Sequence, residues 1–361
     1  MSAKNTKNPK KGKKKMEKRR SLRIAVLTGG GDAQGLNAAI EGIVYRAEYG
    51  GHRVFGFIDG WKGLLEEQFR ELRKETVRNS YSQGGTIIGT SRTNPVKDEA
   101  TKEKAIRNFK ELGFDAVIAI GGEDTLGAAA KLYEAGIPAV GIPKTIDHDV
   151  LETEYTIGFQ TAVSIVADSI EKLATTAKSH RRIIVVEIMG RHSGWIALYG
   201  GLAGGANYIL IPEIKPDIDD IVRVIKEKYG RGEQFAVIAV AEGVKLSDED
   251  EKKAKIVDEY GHVKVGGVAE KLAKILQERT GYTAKHVVLG YLQRGGSPVA
   301  IDRTTPMLLG VKAVELVENG EFGKMVAMKG SKVVVVDLKK VSGGIKLVPK
   351  DLYEFARIFF D

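Results

Sequence analysis

Leu22-Arg-Ile-Ala-Val-Leu-Thr28 runs straight into Gly29-Gly-Gly-Asp32. A short apolar run stopped by glycine reads as a strand buried on both faces, and helical spacing resumes at Leu36 and carries to about Tyr49. The same cadence returns further along. Residues 116–120 run into Gly121-Gly122 ahead of a helix expected over about 126–135, Ile183–Ile188 leads to Met189-Gly190, and Ala236–Ala241 leads to Glu242-Gly243. Apolar strands that alternate with helices imply parallel sheets covered on both faces, so the expected fold is α/β: two doubly wound, largely parallel Rossmann-like units. Ligands in such sheets sit outside the carboxyl ends of the strands, where each of these glycine clusters falls. The expected site is therefore a cleft between two facing halves. No Pro- or Ser-rich linker marks a boundary; a change near Gly158 is expected, and Lys332–Asp337 can join either sheet.

At 361 residues the chain has room for two domains, each with its own apolar core. Its 43% apolar and 29% charged residues suit a globular protein, and no apolar run approaches the ~18 residues of a membrane span. With no cysteine, disulfides and thiolate chemistry are excluded, and a reducing, cytoplasmic location is expected. The net charge of +9 sits at one end: the first twenty residues hold ten Lys or Arg against Glu17, leaving the other 341 neutral. Residues 1–20 read as a disordered basic tail, since so few apolar side chains cannot offset chain entropy. The tail lacks the apolar core of a secretory signal. A nucleic-acid-binding protein acting through this tail is the alternative from another class, which the neutral body disfavours.

Three segments carry chemistry. Gly29-Gly-Gly-Asp32 with Gly35 lets backbone amides approach phosphate oxygens, though a tight turn alone would explain it. Gly121-Gly-Glu-Asp-Thr125 sets two adjacent carboxylates after a strand, a costly arrangement unless a cation or a helix cap offsets them. Magnesium on a phosphate would supply that cation, because it keeps much of its water and needs few protein ligands. Pro143-Lys-Thr-Ile-Asp-His-Asp149 spaces Asp147 and Asp149 so that an extended segment points both the same way, one to orient a hydroxyl and one to accept its proton. His148 is then expected to face away in a structural role. Met189-Gly-Arg-His192 and Leu289-Gly-Tyr-Leu-Gln-Arg-Gly-Gly296 add arginines beside glycines at strand ends, suited to a second phosphate.

Taken together with Gly-Gly-Asp-Ala-Gln-Gly-Leu-Asn at 30–37 and Gly-Thr-Ser-Arg ending at Arg92, these motifs resemble the 6-phosphofructokinase family from about Leu22 onward. The resemblance implies Asp147 as general base, Gly31 as a backbone contact to the donor phosphate, and Arg92 steadying the transferred group. It places Glu123 where the family has a magnesium-associated Asp. It implies that Thr145, Asp149, Met189, Gly190, Arg191, Glu242, Tyr291 and Arg294 hold fructose 6-phosphate. Arg182 and Lys285 match positions that reach a neighbouring subunit's sugar phosphate, so a homodimer or homotetramer is expected. Lys285 replaces an arginine and loses its bidentate fork, and Tyr291 replaces a histidine. The expected division is a donor domain over 21–158 completed by about 293–345, and a fructose 6-phosphate domain over 159–292 completed by about 346–361.

Two positions bear on the donor. Asp124 and Lys144 stand where ATP-dependent bacterial members commonly have glycine, and pyrophosphate-dependent members resemble this chain at both. A carboxylate there crowds the α-phosphate of a nucleotide; two unit charges 4 Å apart repel by about 1 kcal/mol in water and about 4 at an effective dielectric near 20. Lys144 would offer a cation to pyrophosphate. Trp61 points the other way, falling where ATP-dependent members keep an aromatic against adenine. Glu41, Tyr45 and Ala174 replace arginines of allosteric members, so little control by phosphorylated effectors is expected.

Overall fold

The computed structural model describes residues 20–247 and 266–361. The expected tail at 1–20 therefore lies, but for Arg20, outside the described residues. Eleven strands are described: β1 Arg23–Thr28, β2 Arg53–Phe57, β3 Phe69–Leu72, β4 Ala116–Gly121, β5 Ala139–Pro143, β6 Ile183–Ile188, β7 Tyr208–Leu210, β8 Ala236–Ala241, β9 Ala284–Val288, β10 Lys324–Lys329 and β11 Lys332–Asp337. They form a seven-stranded sheet ordered β11-β10-β5-β4-β1-β2-β3 and a four-stranded sheet ordered β7-β8-β6-β9. Pairing is parallel throughout the smaller sheet, and in the larger except for the hairpin partners β3 and β11. Lys332–Asp337 thus joins the first sheet, antiparallel to β10.

Strand β1 shows why a continuous apolar run belongs here. Side chains alternate across a strand, so Ile24 and Val26 enter one core cluster while Ala25 and Leu27 enter another on the opposite face. Each face is covered by helices, and each large side chain fully buried contributes roughly 1.5–3 kcal/mol. The third cluster surrounds the smaller sheet and takes in Val348, Tyr353 and Ala356 from the chain's end. It also includes Ala33 and Ile146, so the larger sheet's loops help to cover the smaller one.

Chain order reverses across β1 and β4, which lie side by side with Thr28 opposite Ile120. Their glycine turns are consequently neighbours: Gly29 N donates to Ile120 O at 3.0 Å. A Cβ on Gly29 would sit 2.5 Å from Thr125 Oγ1, so only glycine allows this approach. The helix expected over 126–135 begins three residues earlier, as Glu123–Glu134, because Gly122 opens it directly from the strand. The helix Leu36–Tyr49 stands where the apolar spacing put it. From Gly158 the chain enters the helix Phe159–His180, whose first turn is pinned from the helix Ala300–Asn319. Asp302, fully buried there, accepts from Tyr155 Oη, Gly158 N, Thr161 N and Thr161 Oγ1. No described helix is long and apolar enough to cross a membrane.

Candidate active site

A cleft of about 870 Å³ opens at the carboxyl ends of the larger sheet's central strands. From the expected residues it draws in Gly31, Arg92, Glu123, Asp124, Lys144, Thr145, Asp147, Asp149, Arg191 and Arg294. Glu123 and Asp124 form the first turn of their helix, where carboxylates favour the macrodipole, and no side chain caps Gly122. The open amides of such a turn suit an anion. Burial first, and then the charge of Asp124, hold the Glu123 carboxyl above its usual range. A divalent cation would relieve that repulsion. The described residues contain no cluster of three or more ligating side chains, so a cation here would take its other ligands from water and phosphate oxygens. The carboxylates present fit magnesium on those terms.

Lys144 is only 3% exposed. Its Nζ donates to the carbonyls of Gly29 (2.8 Å) and Gly31 (2.5 Å), so the ammonium braces the glycine turn from beneath. Burial, followed by the charge of Arg294, lowers its pKa to about 7, against the pull of Asp147 and Asp32. Arg294 closes the other side of the turn: its Nη1 donates to Asp32 O at 2.9 Å, and a Cβ on Gly31 would lie 2.6 Å from that same nitrogen. The turn is held by residues some 115 and 260 positions away.

Asp147 and Asp149 both line the cleft, yet the chain through them is not extended, with a turn at Ile146–Asp147. His148 takes a left-handed backbone (φ 57°), which corrects the expected extended conformation. The reversal at one residue still turns the imidazole away, where it stacks on Phe159 with centroids 4.2 Å apart. Asp147 Oδ1 is buried and meets no hydrogen-bond donor among the described residues. Its carbonyl accepts from Ser193 Oγ at 3.0 Å and its amide donates to Thr145 Oγ1 at 3.1 Å. Burial and the neighbouring charge of Asp147 push the Asp149 carboxyl upward. Two carboxylates so placed disfavour a second negative charge.

On the facing half, Glu242 accepts from the amides of Gly190 (3.2 Å) and Arg191 (3.0 Å), and Met189 N donates to Gln293 Oε1. Burial raises the Glu242 carboxyl, and those two amides moderate the rise. Arg182 and Lys285 are elsewhere. They occupy the amino ends of β6 and β9, with Ile184 opposite Lys285, about 20 Å from Met189 at ~3.3 Å per residue. Tyr291 is 81% exposed, in an apolar groove with Val288 and Leu292. Of the expected residues, Met189, Gly190 and Glu242 stand beside Arg191 without lining the cleft, and Arg182, Lys285 and Tyr291 do not line it.

The chain is similar to known proteins over most of its length. The phosphofructokinase family model matches residues 23–317. The chain belongs to the phosphofructokinase family. A pyrophosphate--fructose 6-phosphate 1-phosphotransferase of Dictyoglomus thermophilum is 52% identical, covering 94% of this chain and 99% of its own. An ATP-dependent 6-phosphofructokinase 3 of Streptomyces coelicolor is 45% identical, covering 92% and 98%. The crystal structure of a pyrophosphate-dependent phosphofructokinase from Marinobacter aquaeolei superposes with a TM-score of 0.79 over 94% of this chain and 91% of that one. At 22% identity that likeness speaks for the fold alone.

Within this phosphofructokinase cleft some contributors carried little individual sequence signal. Gln34 Nε2 donates to the carbonyls of Gln293 (3.2 Å) and Gly295 (2.6 Å), tying the first glycine turn to the last arginine motif. Both glutamines lie inside the recognised motifs, but their pairing needs the fold. Thr125 packs under Gly29 and Gly121. Trp61 lines the cleft's far end with Leu65 and Val96, its own ring 2% exposed.

Proposed function

We propose that this phosphofructokinase transfers a phosphoryl group reversibly from pyrophosphate to the 1-hydroxyl of fructose 6-phosphate, giving fructose 1,6-bisphosphate and phosphate. The observation that carries the choice of donor is Lys144 braced on Gly29 and Gly31, facing the same cleft as Asp124. An ammonium under the turn and a carboxylate beside it favour a small dense anion over a nucleotide's α-phosphate. The name of the Dictyoglomus relative, a pyrophosphate--fructose 6-phosphate 1-phosphotransferase, supports the same donor. Asp147 acts as general base: Oδ1 takes the hydroxyl proton as that oxygen attacks the terminal phosphorus of pyrophosphate and the bond to the leaving phosphate breaks. Arg92, Lys144 and the amide of Gly31 hold the donor, and Asp124 excludes a nucleotide. Glu123 would hold magnesium, which neutralises phosphate charge when bound. Thr145, Asp149, Met189, Gly190, Arg191, Glu242 and Arg294 position the sugar phosphate.

The division proposed for the chain is a donor half, 21–158 with about 293–345, and a sugar half, 159–292 with about 346–361; the separate cores around the two sheets support it. Arg182 and Lys285 serve a neighbouring subunit's sugar phosphate in a homodimer or homotetramer, while Tyr291 joins the residues that position the chain's own sugar phosphate. The placement of Arg182 and Lys285 at the amino ends of β6 and β9, away from the chain's own cleft, supports that role. With Glu41 buried against Tyr81 N at 3.2 Å, phosphorylated effectors are expected to have little influence.

ATP as donor is the second reading, favoured by the cleft's continuation to Trp61, Leu65 and Val96 and by the Streptomyces relative's name. Assaying the pure protein with fructose 6-phosphate and each donor decides between them. A kcat/KM for ATP above that for pyrophosphate would overturn the proposal.

A further inference from the structure

Behind the Asp147–Asp149 turn, on the side away from the cleft, lies a lysine that no motif includes. Lys346 sits between the short turn Leu338–Ser342 and the last helix, Lys350–Arg357. Its Nζ donates to Thr153 O at 2.9 Å and meets His148 Nε2 at 3.0 Å. Its amide donates to Asp149 O at 2.8 Å, and its carbonyl accepts from Trp195 Nε1 at 2.8 Å. Two residues on, Val348 N donates to Glu213 Oε1 (3.0 Å), the oxygen that also accepts from Gly194 N (2.9 Å). Residues 346–348 therefore join the Asp147–Asp149 turn of one half to the start of the helix Trp195–Ala203 in the other.

The hydrogen bonds leave His148 a single arrangement. An ammonium has donors only, so Nε2 must accept and Nδ1 carries the proton, 3.2 Å from Thr156 Oγ1. The ring is clamped further between Phe159, stacked at 4.2 Å, and Trp195, edge-on at 5.3 Å. Burial and the Lys346 charge lower its pKa to about 3, so the imidazole stays neutral and is no acid or base near neutral pH. What the clamp holds is the left-handed backbone of His148, uncommon for a residue with a Cβ. That one dihedral sets the angle between Asp147 and Asp149.

We propose that Lys346 is a positioning residue: acting through His148 and the Asp149 carbonyl, it fixes the turn that aims the Asp147 and Asp149 carboxylates at the substrate. This rests on the assignment of Asp147 as general base. Lys346 does not line the cleft, so its removal acts through the two carboxylates alone: on the rate of transfer through Asp147 and on the affinity for fructose 6-phosphate through Asp149, leaving that for pyrophosphate nearly unchanged.

The test uses the full-length enzyme, with kcat, the KM of both substrates and melting temperature measured for Lys346→Met, Lys346→Arg, His148→Ala and the double variant His148→Ala/Lys346→Met. Lys346→Met is expected to lower kcat about ten- to a hundredfold, as an ångström-scale misplacement of a catalytic group does, and to raise the KM for fructose 6-phosphate, with the KM for pyrophosphate changed less than about twofold. Lys346→Arg should recover most of the rate. The double variant should be scarcely slower than His148→Ala, since the second change then acts on a pathway already cut. Additive losses, or a lowered melting temperature with kcat unchanged, would reduce Lys346 to a structural strap and overturn the proposal. Should Lys346→Met not accumulate folded, Lys346→Gln is read by the same criteria. Asp147→Asn serves as the separate control: if it keeps full activity, the base assignment fails, whatever the Lys346 variants do.

Discussion

The two sides of the cleft are built differently. On the glycine-turn side the contacts lie within one chain: Lys144 and Arg294 reach the turn of residues 29–32 by hydrogen bonds, and both are almost wholly buried. On the facing side, Glu242 accepts from the amides of Gly190 and Arg191, and of these Arg191 lines the cleft, while Arg182 and Lys285 stand at the amino ends of β6 and β9 and Tyr291 is exposed. A site for a small dense anion demands close backbone approach and fixed charge, which long-range contacts within one fold can hold. A site for a larger sugar phosphate can borrow its cations from a second copy, and β9, an edge strand with Lys285 and Val288 exposed, is where a copy would be met.

The sharpest way to break this comparison is at the residue both sides share. Asp147→Asn should lower kcat by about 10²–10⁴ in either direction of the reaction, with both KM values nearly unchanged. A loss confined to the KM of fructose 6-phosphate would instead make Asp147 a sugar ligand. Next comes the donor side alone. Asp124→Gly combined with Lys144→Gly should raise the KM for pyrophosphate, and improve ATP relative to it by roughly five- to a thousandfold, the range set by about 1–4 kcal/mol of relieved repulsion. The pH dependence checks the same residue in the unaltered enzyme. With its pKa lowered to about 7, Lys144 is charged below that pH and loses its proton above it. Apparent affinity for pyrophosphate should therefore fall as pH rises through about 7, by at most about tenfold per unit, and Lys144→Met should flatten that slope. The smallest effect belongs to the borrowed cations. Arg182→Ala should raise the KM for fructose 6-phosphate by about tenfold, about what one charge-assisted contact contributes, and leave that for pyrophosphate alone. Mixing Arg182→Ala with Asp147→Asn subunits under exchange should yield more activity than the two measured separately. No gain on mixing would argue that each chain completes its own site.

How far the sequence could be read follows from the range of each interaction. Strand β1, its glycine turn and the helix after it were legible because burial on both faces and backbone approach leave a local mark. Asp147 and Asp149 were legible as a pair, but the left-handed residue between them was not, since spacing alone does not distinguish an extended segment from a turn that faces both carboxylates the same way. Lys346 and Asp302 carry no signal at all. Each is an ordinary charged residue in an ordinary stretch, and becomes significant through partners that lie 141 to 198 positions off.

By itself, then, the sequence determined the α/β class, the strand ends where chemistry gathers, the family, and the residue types offered to phosphate and hydroxyl. Apolar periodicity and glycine placement are local properties of a chain, and motif order survives without coordinates. The tertiary structure alone decided that Lys144 braces the glycine turn from beneath, that Arg182 and Lys285 lie beyond reach of their own cleft, and that His148 is held neutral between Lys346 and Phe159. Those outcomes depend on which distant segments meet and how deeply they are buried, and burial sets both the reach of a charge and its protonation.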